Sequence, residues 1–234
     1  MTWDNGQGSW VRVLATIDTV TVAWGIGMSC RTWWAMAVFA VAISAADNGA
    51  AKELTYGLNV MYHMTSLSPP TSAQMTVCYG FGCGRRYRLD FTAADRKNLT
   101  DILAAGRASA EAERKAVQKA VIWFDRRVGP VIGTNKRIAR AEIRSLDAAH
   151  NFDCFDTTRN TSSLLLMLEQ WGLLKHHLVT DPRYRGNVLI GQFPHNTAAL
   201  KDRKSGVDWV VDMWPRGYGE APDVMTVDKW LSER

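Results

Sequence analysis

The 234-residue chain is 47% hydrophobic, 10% aromatic and 22% charged, a makeup that excludes fibrous, low-complexity and intrinsically disordered classes and leaves a folded domain as the default. Its formal charge of +5 suits anionic surroundings such as an envelope surface, but the excess is too small to name a partner and says nothing about fold.

Residues 33–45 form an uncharged apolar run that follows Arg31 and ends in Ser44 and Ala45, with Ala46 next. The run is short for a permanent membrane span, and its order of positive, apolar and small residues is that of a secretory signal peptide with cleavage near Ala46. A buried core helix or an uncleaved anchor is the rival interpretation. The 27 residues before Met28 contain Asp4, Asp18 and three tryptophans, which do not belong in a signal, so translation is expected to begin at Met28. The chain then divides into an upstream extension (1–27), a signal peptide (28–46) and one domain (47–234), periplasmic or secreted. Losing residues 1–46 removes two arginines and two aspartates, so the basic excess belongs to the mature domain.

The two segments 52–62 and 75–79, separated by Ser66-Leu-Ser-Pro-Pro-Thr71, read as strands or extended arms. If Cys30 leaves with the signal, Cys78, Cys83 and Cys154 remain, and in an oxidising compartment Cys78 and Cys83 can close a small loop through the glycines between them. Zinc would need two further ligands that the spacing does not offer. Gly80, Gly82 and Gly84 lack the spacing of a phosphate cradle. Neither a metal nor any other cofactor is implied.

Thr92 with Asp95 makes a capping box before Leu99, Ile102 and Leu103, predicting a short helix over 92–105 that Gly106 ends. A second helix is predicted from Ser109 to about Val128, with Ala116, Val117, Ala120, Val121 and Phe124 on one face, stopped by Gly129-Pro130. The basic stretch 135–144 reads as a solvated helix face in preference to a nucleic-acid patch. A third helix should run from Asp153 through Leu164-Leu-Leu-Met-Leu168 to Trp171, apolar nearly all round and therefore central, with Gly172 as its break. His176 and His177 then suit the negative end of its dipole. Runs at 187–192, 193–201 and 207–212 read as antiparallel strands. Helices followed by a sheet predict an α+β fold.

Cys154 follows a plausible N-cap, Asp153, so its sulfur belongs to the first turn of the central helix, where free N–H groups and the macrodipole favour a thiolate. His195 lies on a strand, and Asp212, 17 positions on, lies on the next. A hairpin turning at 204–206 would bring the carboxylate to the imidazole, to fix its tautomer and orientation. Singly, each has a bland use: a buried thiol, a strand histidine, a turn carboxylate. Asn151, Arg159, Asn160 and Trp214 are candidates for lining a cleft or supplying an oxyanion donor, and His150 is the second-ranked base. Trp209 and Trp214 are more often core residues.

This order of cysteine, histidine and aspartate over about 152–214 resembles the transglutaminase-like cysteine hydrolases, close to the bacterial transglutaminase-like cysteine proteinases. The resemblance implies a papain-like fold in which the cysteine-bearing helix packs on a small antiparallel sheet, with Cys154 as nucleophile, His195 as base and Asp212 as its partner. It also implies cleavage of a peptide or amide bond in a protein or peptide substrate, with acyl transfer using the same residues. The chain departs from that pattern in having Thr197 where an aromatic often stands, and in the two acidic neighbours of Cys154, Asp153 and Asp156. The rival function is an inactive secreted adaptor that holds an anionic envelope partner on Arg85, Arg86 and Arg88.

Overall fold

The structure, a computed structural model, describes residues 53–141 and 150–233. The expected extension and signal peptide lie outside the described residues, as does most of the second half of the basic stretch. In chain order the described elements are α1 (Tyr56–His63), β1 (Gln74–Tyr79), β2 (Arg85–Asp90), α2 (Ala93–Ala104), α3 (Ala110–Ile132), α4 (Cys154–Gln170), β3 (His177–Arg185), β4 (His195–Asp202), β5 (Asp208–Asp212), β6 (Asp223–Thr226) and α5 (Val227–Ser232). Strands β1 and β2 make an antiparallel ribbon, and β3 to β6 make an antiparallel sheet in chain order. The fold is therefore α+β with small antiparallel sheets.

Helix α4 organises the rest. Asp153 and Asp156 form a reciprocal capping box that starts it, and Gly172, at φ 68°, turns the chain away after its C-cap. It packs against β3, β4 and β5 of the sheet and against β1 of the ribbon. Leu164, Leu165, Met167 and Leu168 are wholly buried, each stabilising the fold by about 2 kcal/mol. The N-terminal half of α4 is rich in threonine and serine, yet buried. Most of these hydroxyls are satisfied: Thr157 and Thr158 donate to the Cys154 carbonyl at 3.1 and 2.7 Å, and Ser163 pairs with the Tyr62 hydroxyl at 2.8 Å.

Where local signals mislead, a distant contact explains it. Residues 56–63 are a helix, not a strand or extended arm, because the Asp181 carboxylate of β3 accepts the N–H groups of Gly57 and Leu58 at 2.8 and 3.2 Å and the Thr55 hydroxyl. Helix α3 runs through Gly129-Pro130 to Ile132 and ends at Gly133, φ 76°. Gly129 serves packing instead, since a Cβ there would collide with the Tyr218 ring.

The described part of the basic stretch is not a solvated helix face. Its Arg137 is buried, donating to Asp125 at 2.8 Å and to the Arg216 carbonyl at 2.6 Å. Segment 187–192 is a loop with one short 3-10 turn, not a strand, and leaves Leu189 and Ile190 exposed. The missing strand is β3, an edge strand whose Pro182 falls within a register shift, where no ladder hydrogen bond is lost.

Candidate active site

The first turn of α4 and the start of the β4–β5 pair meet. Continuing the β4–β5 register places Asp212 opposite Thr197, so His195, two residues further along, is its diagonal neighbour on the same face. His195 Nε2 lies 2.6 Å from Asp212 Oδ2, both residues being buried. The same carboxylate oxygen accepts the Trp230 indole N–H at 2.9 Å, and Oδ1 accepts the Trp214 backbone N–H at 3.3 Å. An acceptor already holding two donors takes the Nε2 proton, which leaves Nδ1 as the lone-pair nitrogen. That Nδ1 is buried without a hydrogen-bond partner. Trp214 packs on the imidazole at 4.6 Å between ring centroids and Trp230 at 5.5 Å, so the ring is held by two indoles as well as by a carboxylate.

Cys154 is the free thiol among the described cysteines, and it is buried. The backbone N–H of Asn196, the residue after His195, approaches its sulfur and favours the thiolate, as does its own N–H. Burial acts more strongly in the other direction, and the charges of Asp153 and Asp212 add to it, pushing the thiol up to about 11. A standing thiolate stabilised by the helix start is therefore not what these surroundings favour. The thiol is favoured over the thiolate in these surroundings, and deprotonation has to be coupled to a proton acceptor.

The two acidic neighbours of Cys154 are both occupied. Asp153 accepts the Asp156 N–H at 2.7 Å and the Gly82 N–H at 2.7 Å; Asp156 accepts those of Cys83 at 2.7 Å and Phe81 at 2.9 Å. Cys78 and Cys83 are joined by a disulfide, so a closed loop of the ribbon is fastened to the start of α4. Burial, reinforced by the charge of Asp153, raises Asp156 to about 7.

The other sequence candidates separate into two groups. Trp214 belongs to the site, half-buried against His195 and anchored by its indole N–H on the Ala141 carbonyl at 3.1 Å. Asn160 is fully buried in the seam between α4 and the ribbon, where its amide bonds both the N–H and the carbonyl of Cys78. Asn151 accepts the Ile138 N–H at 3.1 Å on its side chain and the Gly80 N–H at 3.0 Å on its carbonyl, so it joins loops. Arg159 is buried, donating to Thr65 and to the Phe155 carbonyl.

Thr197 is buried and forms no wall. Trp209 lies beneath the Arg114 guanidinium at 3.6 Å. His177 does not contact the end of α4: it is buried on Glu113 of α3. Of the adaptor cations, Arg86 donates to the Thr65 carbonyl and Arg88 pairs with Asp90 at 3.2 Å.

Trp230 is the site residue that the sequence did not reveal; a lone tryptophan in a short C-terminal amphipathic turn carries no local signal of chemistry. Among the described residues, no three His, Cys, Asp or Glu side chains are gathered as a metal site. No helix among them is long and apolar enough to cross a membrane. No protein-family model, curated protein or solved structure matches the chain.

Proposed function

We propose that the protein is an exported thiol hydrolase of the transglutaminase-like, papain-like type, cleaving a peptide or amide bond through Cys154, His195 and Asp212. The observation that carries this reading is the imidazole of His195: one nitrogen is tied to Asp212 at 2.6 Å, and the other is buried and unpartnered, while the next residue's backbone N–H favours a thiolate at Cys154. A buried, unsatisfied ring nitrogen costs stability that a purely structural histidine would not need to sacrifice. The apolar run before residue 46 supports export.

In this mechanism His195 Nδ1 takes the thiol proton as Cys154 Sγ attacks the carbonyl carbon. The C–N bond then breaks, the amine leaving with that proton from Nδ1, and a thioester remains on Cys154. Water attacks the thioester, again losing a proton to Nδ1, and the carboxylic acid departs as the thiol is restored. Asp212, held by Trp230 and Trp214, keeps the Nε2 proton in place and stabilises the imidazolium that forms twice in the cycle. The Asp156 N–H is taken by the Asp153 cap, so the Cys154 and Phe155 N–H groups ahead of it are the ones suited to the developing oxyanion.

The test is alkylation of Cys154 by iodoacetamide in folded protein lacking residues 1–46, from about pH 5 to 9. His195→Ala is expected to slow it by about a hundredfold at neutral pH. Because burial raises the thiol to about 11, the variant's rate should still be rising without a bend at pH 9 instead of beginning to level near the ordinary value of about 8.5. Equal rates in both proteins would discard the reading.

A further inference from the structure

Beside His195 the surface opens into a cleft of about 510 Å³ whose walls include Arg140, Arg185, Gln192, Phe193, Trp214 and Glu233. His195 lines this cleft and Cys154 does not. The cleft therefore borders the proposed proton donor to a departing amine and not the nucleophile.

Its charge is built in. Arg140 adopts φ 52°, a left-handed conformation costing a non-glycine residue about 1 kcal/mol. It is held there because its backbone N–H donates to the Trp214 carbonyl at 2.9 Å while the next residue, Ala141, accepts the Trp214 indole N–H at 3.1 Å. The segment leading to it is fixed by the buried Arg137–Asp125 pair at 2.8 Å. A strained arginine is thus clamped to the indole that packs on His195.

Among the described residues, the Arg140 guanidinium makes no hydrogen bond or ion pair, and Arg140 is exposed. Arg185 stands opposite His195 in the β3–β4 register, its guanidinium 4.3 Å over the Trp230 ring and donating to the Trp230 and Glu233 carbonyls. Burial opposes the Arg185 charge, Asp212 and Glu233 favour it, and Arg140 opposes it more weakly than they do. Asp212 also bonds His195, and Glu233 also pairs with Lys229 at 3.8 Å.

We propose that this cleft is a carboxylate subsite: Arg140, with Arg185 behind it, holds a carboxylate carried on the leaving-amine side of the bond that is cut. The inference rests on the thiol-hydrolase reading and specifies its substrate as a peptide or amide with an acidic group just beyond the scissile nitrogen. That carboxylate belongs either to an acidic side chain or to the end of a chain. Phe193, largely exposed, and Trp214 offer apolar surface to the carbon skeleton around it.

Three alkylating reagents test this: iodoacetyl-glutamine amide, which is neutral; iodoacetyl-glutamate amide, with a side-chain carboxylate; and iodoacetyl-glutamine, with a terminal carboxylate. At low salt, at least one anionic reagent should label Cys154 about tenfold faster than the neutral one, because a charge-assisted bond to arginine holds it. That advantage should shrink at high salt, fall to about parity in Arg140→Gln, and be partly kept in Arg140→Lys and fully kept in Arg85→Gln on the ribbon. Whichever anionic reagent gains identifies the source of the carboxylate.

Parity of all three reagents in the unaltered protein, or an advantage that survives Arg140→Gln, overturns the subsite. If the neutral reagent still labels at a rate that depends on His195, the hydrolase reading stands without it. If no reagent labels folded protein, both fail together.

Discussion

Two buried histidine–carboxylate pairs stand among the described residues, and they differ in what the second ring nitrogen does. His177 Nδ1 lies 2.8 Å from Glu113 and its Nε2 faces the Arg114 guanidinium at 3.2 Å, so both nitrogens are used. Glu113 also accepts the backbone N–H groups of Lys175, His176 and His177, and these bonds, that to the His177 ring first among them, hold its carboxyl below the usual range although burial opposes them. This pair joins α3 to the start of β3 and is finished. His195 has the same kind of partner at 2.6 Å, but its other nitrogen is buried without a partner, and the residue borders a cleft. A histidine–carboxylate bond alone thus does not mark a reactive site; the unfilled valence is what sets His195 apart.

The contrast can be broken most forcefully at His177. His177→Ala leaves a buried carboxylate and a guanidinium without the ring between them, and should cost about 3 kcal/mol in urea unfolding, roughly a hundredfold in the folding equilibrium. Alkylation of Cys154 in the protein that remains folded should be unchanged. A large fall in alkylation by this variant would show that the two pairs are not separable in function.

The next effect concerns what holds Asp212. Trp230→Phe keeps an aromatic ring against His195 but removes the indole donor from Oδ2. A bond to a charged group is typically worth about 1.5 kcal/mol or more, so loss of imidazole orientation should slow iodoacetamide by about threefold to tenfold. An undiminished rate would assign Trp230 to packing alone.

The smallest effect is on the far side of Cys154. Burial raises Asp156 to about 7 in the folded state, so the folded protein binds this proton more tightly than the unfolded chain. Its contribution to stability is accordingly full below the ordinary aspartate value of about 4 and is lost as pH rises toward 7. Thermal unfolding should therefore occur a few degrees higher at about pH 5.5 than at 7.5. Asp156→Asn should flatten that slope; an unaltered slope would place the titrating group elsewhere.

The amino-acid sequence was most legible where a signal fits within one turn or one hairpin. The capping box of Thr92 with Asp95 and the N-cap Asp153 fix where α2 and α4 begin, and the apolar run Leu164–Leu168 makes α4 the buried helix. Strands β4 and β5 followed from short runs divided by the turn between them, and the proximity of His195 to Asp212 follows from pairing those strands. Helix α1 could not be read, because its N-terminal donors are met by Asp181, more than a hundred residues away.

Strand β3 was hidden by Pro182 and by charges that obscure its alternation, features that an edge strand tolerates and a central one does not. Gly129 looked like a helix stop and is in truth the space under Tyr218. By itself, then, the sequence determined where α2 and α4 begin, that β4 and β5 pair, and which side chains carry a thiol, an imidazole and a carboxylate. Only the tertiary structure decided which nitrogen of His195 is open, that Trp230 completes the hold on Asp212, and that Arg140 is strained into a cleft beside them. Those outcomes depend on burial and on contacts between distant segments, and local propensity carries no record of either.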